Sequence, residues 1–286
     1  MKPNRNLVVA PCGNASTLFA THWLNDPVAK EFDTCLLFYH AEINDASLPQ
    51  QVEYFYHLKD FKYKMIHALL TTVAPQLLEK YDYFYFIDDD IALSTADINR
   101  MFELSRTFNM SITQASLSHN SFCSWPIFKN NPKCMLRYMG QVEVMAPLFS
   151  QDALRQCLVS FAENKSSWGL DSVWPKLLGY PQNKLGVFDA VVMEHTRPVG
   201  GGELYKKIKA DPYQEWEAII QKYEAIKNNF VEYGRLEFVN PTHNPAVFRL
   251  YKLRERMSKL RQRVQDYDVM SRVYHRLGVK VVRTHV

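Results

Sequence analysis

The sequence predicts an α/β protein in which a mostly parallel central sheet is flanked by helices. Short apolar runs rich in aromatic and β-branched residues alternate with longer segments whose apolar residues recur at helical spacing. This alternation is typical of strand–helix–strand units, whose helices cover the faces of a parallel sheet. The chain has 286 residues, 47% hydrophobic and 22% charged, so it is long enough to bury a sizeable core.

The predicted elements alternate along the first two thirds of the chain. Strands are predicted at 6–11, 32–40, 83–88, 110–117, 141–150 and 188–195. Helices are predicted at 21–25, 62–82, 95–108, 150–164, 215–228 and 249–268. Pro75 is expected to bend the helix over 62–82, and Thr95 is expected to cap the next one. Because the pattern becomes helical and charged after residue 206, we expect a domain of residues 1–205 and a packed, basic α-helical extension of residues 206–286.

Positive charge is concentrated at the C-terminal end of the chain. The net charge is only +4, but residues 249–286 hold eleven Lys/Arg and three Asp/Glu. One interpretation is a solvated or packed helix face. The other is a basic amphipathic helix that contacts an anionic membrane surface. We expect no nucleic-acid partner.

Cysteine usage and hydropathy predict where the protein resides. The five cysteines are scattered without a C-x-x-C pair, so free thiols in a reducing compartment are expected rather than a thiolate zinc site. The N-terminal apolar run is too short for a signal peptide, and no run approaches the ~18 apolar residues of a transmembrane helix. We therefore expect a cytoplasmic protein, peripheral to the inner face of the membrane if the basic helix binds lipid.

Three consecutive aspartates begin at the last residue of the predicted strand "YFYFID". Ligands of open α/β sheets bind at the carboxyl ends of the strands, which is where Asp88, Asp89 and Asp90 are expected. Adjacent carboxylates repel unless a cation neutralises them, and Mg²⁺ or Mn²⁺ is such a cation. In an extended chain Asp88 and Asp90 project to the same side, which makes a D-x-D pair. The alternative is a solvated acidic turn that caps a helix.

The segment "SSWGLDSVWPKL" is the second candidate for a functional site. Trp168 and Trp174 are candidates to pack on a sugar ring, with Gly169 between them. Asp171 lies among apolar neighbours, which raise the pKa of a carboxyl group toward the range of a general base. The alternative is a helix start with core tryptophans.

The segment "VVMEHTRPVGGG" is the third candidate. His195 follows a buried strand, and neutral imidazole is a frequent metal ligand. Arg197 and the backbone amides near Gly200 and Gly201 are candidates to bind phosphate oxygens.

These segments, in this order, resemble the GT-A class of metal-dependent glycosyltransferases. The set "NLVVAPCGN", "FIDDDI", "EVMAPLFS", "WGLDSVWP" and "VVMEHTRPVGG" is also similar to a GT-A-like family of plants and bacteria that was long of unknown function. The resemblance covers about residues 5–205. It implies a Rossmann-like GT-A fold, a nucleotide-sugar donor, a glycan or lipid-linked saccharide acceptor, and a Mn²⁺ or Mg²⁺ cofactor.

The resemblance also implies roles for individual residues. Asp88 and Asp90 would bind the metal with His195, and Asp88 would also approach the donor diphosphate. Asp171 would be the catalytic base, with Trp168, Gly169 and Trp174 around the acceptor. The donor site would be completed by the residues Pro11, Gly13, Asn14, Lys62, Lys64, Arg197, Gly200 and Gly201.

The implied reaction is transfer of a sugar to an acceptor hydroxyl. A base at Asp171 implies inversion at the anomeric carbon, and retention stays open if no base lies there. One alternative is a carbohydrate- or nucleotide-binding protein of the same fold without turnover. Another is a haloacid-dehalogenase-type phosphatase with a D-x-D-x-[TV] motif, although Ala92 stands at the Thr/Val position.

Overall fold

A central sheet of eleven strands organises the part of the chain that the structure, a computed structural model, describes: residues 5–198, 211–238 and 279–282. The strands are β1 Asn6–Cys12, β2 Asp33–Phe38, β3 Tyr54–His57, β4 Tyr83–Phe86, β5 Ile91–Ala92, β6 Ile112–Leu117, β7 Cys134–Met139, β8 Leu148–Ser150, β9 Leu185–His195, β10 Glu232–Phe238 and β11 Val279–Val282.

Helices flank this sheet. They are α1 Lys62–Ala68, α2 Gln76–Lys80, α3 Thr95–Thr107, α4 Gln151–Cys157, α5 Leu170–Leu177 and α6 Pro212–Tyr223. Single π-helical turns cover Phe19–Trp23 and Leu69–Val73, and 3₁₀ turns cover Leu48–Gln51, Pro126–Phe128 and Leu158–Ser160.

The strand order is β11-β10-β7-β9-β6-β8-β4-β1-β2-β3, with β5 paired to β9. The pairs β3–β2, β2–β1, β1–β4 and β6–β9 are parallel, and the other pairs are antiparallel. Only β7, β8 and β11 oppose the common direction of this ten-strand path in the described chain, so the sheet is mixed but mostly parallel.

Strand β1 shows why the sheet lies inside the protein. All seven of its residues are buried. Leu7 and Val9 pack into the core on one face of the sheet, whereas Val8 and Ala10 pack into the core on the other. Side chains of a strand alternate between faces, so a continuous apolar run needs cover on both.

The predicted helix over 62–82 is interrupted. It begins as α1, continues as the π-helical turn and breaks at Ala74, whose φ of −146° is not helical. Pro75 then starts α2. Proline disfavours the α conformation in the residue before it, so the predicted bend is a break.

Two other local predictions need correction. Ser94, not Thr95, caps α3, because the Ser94 side chain accepts a hydrogen bond from the Asp97 N–H. The segment 141–147, predicted as part of a strand, is not one. Some of its backbone groups bond to side chains: the Glu143 N–H donates to Gln114 Oε1 at 2.6 Å, and the Val144 carbonyl accepts from Lys62 Nζ at 3.0 Å.

The chain after residue 206 contributes strands as well as a helix. The predicted helix over 215–228 appears as α6. Only helices were predicted in this part of the chain, but it also contains β10 and β11. Strand β10 pairs with β7 and with β11, so these two strands extend the central sheet. The basic segment 249–268 lies outside the described residues, and the division at residue 205 stays a prediction. No helix in the described ranges is long and apolar enough to cross a membrane.

Trp174 is central to one of the two cores. It is fully buried on α5, and its ring contacts Phe149, Phe161 and Tyr63, with ring centroids 5.0, 5.9 and 5.5 Å away. We predict that Trp174→Ala lowers the free energy of unfolding by about 3–5 kcal/mol, because it leaves a cavity in this cluster.

Urea unfolding followed by circular dichroism measures this change. Val159→Ala is the matched control, because Val159 is exposed and its truncation should change stability by less than about 0.5 kcal/mol. A Trp174→Ala protein as stable as the control would contradict a core role.

Candidate active site

A cavity of about 480 Å³ opens at the carboxyl ends of β1, β2 and β4. Pro11 lies at the end of β1, Tyr39 and His40 follow β2, and the three aspartates follow β4. This is the edge at which open α/β sheets bind ligands, and the volume suits a small organic molecule.

The three aspartates diverge because the chain turns where they stand. Strand β4 ends at Phe86, and the Ile91 N–H donates to the Asp88 carbonyl at 3.2 Å, which closes a turn. The alternation expected of an extended chain therefore does not apply to Asp88 and Asp90. All three side chains line the cavity, but each has a different partner.

Asp88 pairs with Lys62 at the start of α1. Lys62 Nζ lies 2.7 Å from Asp88 Oδ1 and also donates to the carbonyls of Met145 at 2.7 Å and Val144 at 3.0 Å. Burial lowers the pKa of Lys62, although the charge of Asp88 opposes this shift. Burial raises the pKa of Asp88, and the lysine charge opposes it in turn. The predicted diphosphate lysine thus already neutralises the first aspartate.

Asp89 is held by the loop after β1. Its carboxylate accepts from Ser16 Oγ and, at 3.4 Å, from the Tyr39 hydroxyl. Arg197 Nη1 lies 3.7 Å from the other oxygen. The loop is shaped by Gly13, because a Cβ at this position would collide with the Tyr39 ring. The contact of Ser16 with Asp89 was not predicted from the sequence, because no motif distinguishes this serine.

Asp90 lies next to His195 in the lining of the cavity. Asp90 Oδ2 lies 3.4 Å from His195 Nε2, and the other oxygen, Oδ1, is buried without a hydrogen-bond partner. The short pairing of β5 with β9 sets this geometry, because it places Ile91 opposite His195. The Thr196 N–H and hydroxyl both donate to the Asp90 carbonyl, at 3.0 and 2.8 Å.

The tautomer of His195 follows from its other contact. Nδ1 lies 2.8 Å from the Phe122 carbonyl, which only accepts, so Nδ1 carries a hydrogen. A neutral ring then presents its Nε2 lone pair to the Asp90 carboxylate, which is repulsive unless a proton or a cation lies between them. Burial lowers the pKa of His195, but the hydrogen bond and charge of Asp90 outweigh it and raise the pKa overall.

The Asp90–His195 pair fits a divalent cation that a substrate phosphate helps to hold. A backbone carbonyl on the second imidazole nitrogen is the usual support of a metal-binding histidine. Within the described ranges, no group of three His, Cys, Asp or Glu side chains is arranged to hold a metal. Asp88, predicted as a metal ligand, is paired with Lys62 instead. Magnesium-type sites commonly combine one or two carboxylates with phosphate oxygens.

Asp171 also lines the cavity, from the first turn of α5. Burial raises its pKa to about 7, although hydrogen bonds from backbone N–H groups act against the shift. The helix starts after Gly169, whose φ of +87° is the left-handed region that favours glycine. A Cβ at Gly169 would also collide with the Trp216 ring.

Four aromatic side chains, here called the aromatic wall, line the cavity near Asp171: Trp125, Trp168, Tyr213 and Trp216. Ring centroids are 5.0 Å apart for Trp168 and Tyr213, 5.9 Å for Trp168 and Trp216, and 6.3 Å for Trp125 and Trp216. Trp168 thus lines the cavity, and its contact with a sugar stays a prediction. The prediction for Trp174 was wrong, because its side chain is fully buried in the core and cannot stack on a ligand.

Some residues predicted for the donor site do not line the cavity. Asn14 is exposed and ties its loop to the chain after β2, where its side chain bonds to the backbone of Glu42 and Asn44 at 3.0 Å. Among the described residues that line the cavity, Gly13, Asn14 and Lys64 are not found, whereas Pro11, Lys62 and Arg197 are. Gly200 and Gly201 lie outside the described residues.

Glu143 is the main cavity residue that the sequence analysis missed. It is 5% exposed, lines the cavity, and carries an oxygen, Oε2, that has no hydrogen-bond partner. Burial and the charge of Asp171 raise its pKa to about 8. The signal in the sequence is a lone acid in the otherwise apolar "VEVMAPLF", which belongs to the predicted strand 141–150.

Comparison with solved structures identifies the fold. The chain resembles S. aureus TarS 1–349 in complex with UDP-GlcNAc, with 12% identity and a TM-score of 0.51 over 91% of this chain and 76% of that one. The TarS 1–349 complex with UDP matches at 12% identity and a TM-score of 0.49, over 94% and 78%. Another TarS structure matches at 12% and 0.48, and this chain covers 43% of its length.

Neither a protein-family model nor the sequence of a curated protein matches this chain. The structural likeness, at 12% identity, concerns the fold: a Rossmann-like α/β arrangement with a mixed, mostly parallel sheet between helices. The fold class predicted from the sequence, a GT-A-like α/β fold with a mostly parallel sheet between helices, is confirmed.

Proposed function

We propose that this protein is a glycosyltransferase that moves a sugar from a nucleoside diphosphate donor to a hydroxyl of a glycan or lipid-linked saccharide. One observation carries the proposal. A single cavity is lined by the Asp90–His195 pair, by the buried carboxyl of Asp171, and by the aromatic wall. The UDP-GlcNAc complex of TarS supports a UDP-sugar as the donor.

The donor side is assigned to the ends of β1 and β2. The rings of Tyr39 and His40, 4.7 Å apart, lie beside Pro11 and offer apolar faces to a nucleobase. Arg197 supplies positive charge for the diphosphate, and Lys62 offsets the negative charge of Asp88 beside it. A Mn²⁺ or Mg²⁺ ion held by His195 and the carboxylate of Asp90 would neutralise charge on the leaving diphosphate.

The acceptor side is assigned to the aromatic wall. Aromatic faces pack well on the apolar faces of sugar rings, and Tyr213 is 63% exposed at the mouth of the cavity. The acceptor hydroxyl oxygen bonds to the anomeric carbon, the bond from that carbon to the diphosphate oxygen breaks, and the hydroxyl proton passes to Asp171. Attack opposite the leaving group inverts the anomeric configuration.

A nucleotide-binding protein of the same fold without turnover is the second candidate. The ion pair between Asp88 and Lys62 favours it, because a lysine already occupies one of the two acids expected to bind metal. Turnover of a UDP-sugar distinguishes the two functions.

We predict that the protein binds UDP more tightly with Mn²⁺ than with EDTA, and that Asp90→Asn loses this gain. Loss of one charged ligand should weaken UDP binding in Mn²⁺ roughly 10- to 100-fold. Isothermal titration calorimetry measures the dissociation constants. Asp152→Asn, an exposed aspartate on α4, is the control and should bind as the wild type does. Equal Mn²⁺ dependence in the Asp90→Asn and control proteins would refute the cation site.

We predict that the turnover of UDP-GlcNAc falls as the pH drops through about 7, the raised pKa of Asp171. A base accepts a proton only when it is ionised, so protonation below that pH removes activity. Asp171→Asn should lower the rate roughly 10²- to 10⁴-fold and abolish this limb of the pH profile, because general-base help is of that size.

Release of UDP in the presence of a panel of saccharide acceptors measures the rate. The control is UDP affinity in Mn²⁺, which should stay within about twofold of the wild type in Asp171→Asn. A variant with the wild-type rate and pH profile would exclude Asp171 as the base.

A further inference from the structure

Glu143 is fixed in place by its neighbours in the fold. Its N–H donates to Oε1 of Gln114, a fully buried residue of β6, at 2.6 Å. The carbonyls of the next two residues, Val144 and Met145, accept from the Lys62 ammonium group at 3.0 and 2.7 Å. These hydrogen bonds hold the backbone of residues 143–145 in place, so the Glu143 side chain has little freedom to move away from the cavity.

The unpaired oxygen of Glu143 contrasts with a buried acid whose role is structural. Both oxygens of Asp189 are paired: Oδ2 accepts from Arg137 Nε at 2.7 Å, and Oδ1 accepts from the Asn131 N–H at 2.8 Å. Glu143 Oε2 is buried at the cavity without a partner. Most buried polar atoms are paired, and an unpaired one destabilises the fold, so this oxygen points to a ligand.

The position of Glu143 indicates which part of a ligand it meets. Glu143 lines the same cavity as Asp171, which is assigned to the acceptor side, and as His195, which is assigned to the leaving-group side. The group that passes between these two sides in the proposed reaction is the transferred sugar. Its hydroxyl groups donate and accept hydrogen bonds, and a carboxyl group matches both.

We propose that the Glu143 carboxyl group binds a hydroxyl group of the transferred sugar and thereby selects among donors. The inference rests on the proposed function, because it takes the bound ligand to be a UDP-sugar. A site built to bond a hydroxyl discriminates strongly against a sugar that lacks it or presents it differently, since the buried carboxyl then stays unpaired.

The test compares UDP with UDP-sugars in the wild-type, Glu143→Gln and Glu143→Ala proteins. Calorimetry in Mn²⁺ gives dissociation constants for UDP, UDP-GlcNAc, UDP-glucose and UDP-galactose. Glu79→Gln is the matched control, because Glu79 is an exposed glutamate on α2. Circular dichroism checks that each variant is folded. If Glu143→Ala does not fold, the test rests on Glu143→Gln, which keeps the shape of the side chain.

We expect the wild type to bind one of these sugars better than the other two. Glu143→Gln should weaken binding of that UDP-sugar roughly 10-fold and reduce the preference, while UDP itself binds as before. Glu143→Ala should show at least the same loss, and the control should show none.

Three results would overturn the inference. In one, the wild type shows no preference among the sugars although UDP binds. In another, the variants keep the wild-type preference. In the last, UDP and UDP-sugars weaken equally, which would place Glu143 at the cation or diphosphate. A wild type that binds neither UDP nor a UDP-sugar overturns the proposed function itself, so the two failures are distinct.

Discussion

Repulsion among three adjacent carboxylates is the constraint on which the candidate site depends. Two unit charges about 5 Å apart repel by roughly 3 kcal/mol at an effective dielectric constant of 20. The fold meets this by turning the backbone after β4 and giving each acid its own partner. Asp88 has the ammonium group of Lys62, Asp89 has Ser16 and Arg197, and Asp90 has His195. Because these partners come from distant parts of the chain, the acids are tolerated only once the sheet has formed.

The same arrangement makes the site rigid before any ligand binds. Asp90 is held by the pairing of β5 with β9 and by Thr196, which donates twice to its carbonyl. Lys62 is held by three carbonyls as well as by Asp88. Charges fixed in this way need little reorganisation when a substrate develops charge, which is the general advantage of a preorganised site. Asp171 and Glu143 are accommodated in a different way. Burial raises the pKa of both carboxyl groups, which favours their neutral form.

Local signals were enough to predict the fold class and the place of the three aspartates at the end of a strand, because both follow from patterns within about ten residues. The turn that separates the three side chains was not predicted. The pairings across the cavity were not predictable, because Lys62 and Ser16 reach the aspartates only through the strand order. Trp174 was a different error, and the sequence held the signal to avoid it. Leu170, Val173, Trp174 and Leu177 are spaced as one apolar helix stripe, so Trp174 belongs to the core. Trp168 lies before Gly169, outside the helix, so it is not part of that stripe.

The chain after residue 206 completes the cavity rather than merely covering the domain. The Glu215 carboxylate of α6 accepts from the Ser166 N–H at 2.8 Å and from the Lys165 N–H at 3.3 Å. The Trp216 ring packs where a side chain at position 169 would stand, and Lys227 Nζ lies 4.2 Å from the centre of that ring. The loop that carries Trp168 is therefore shaped from both sides of the predicted boundary at residue 205. A domain cut at that boundary would lose Tyr213 and Trp216 from the aromatic wall, so the proposed acceptor side depends on the segment that the sequence predicts to be an extension.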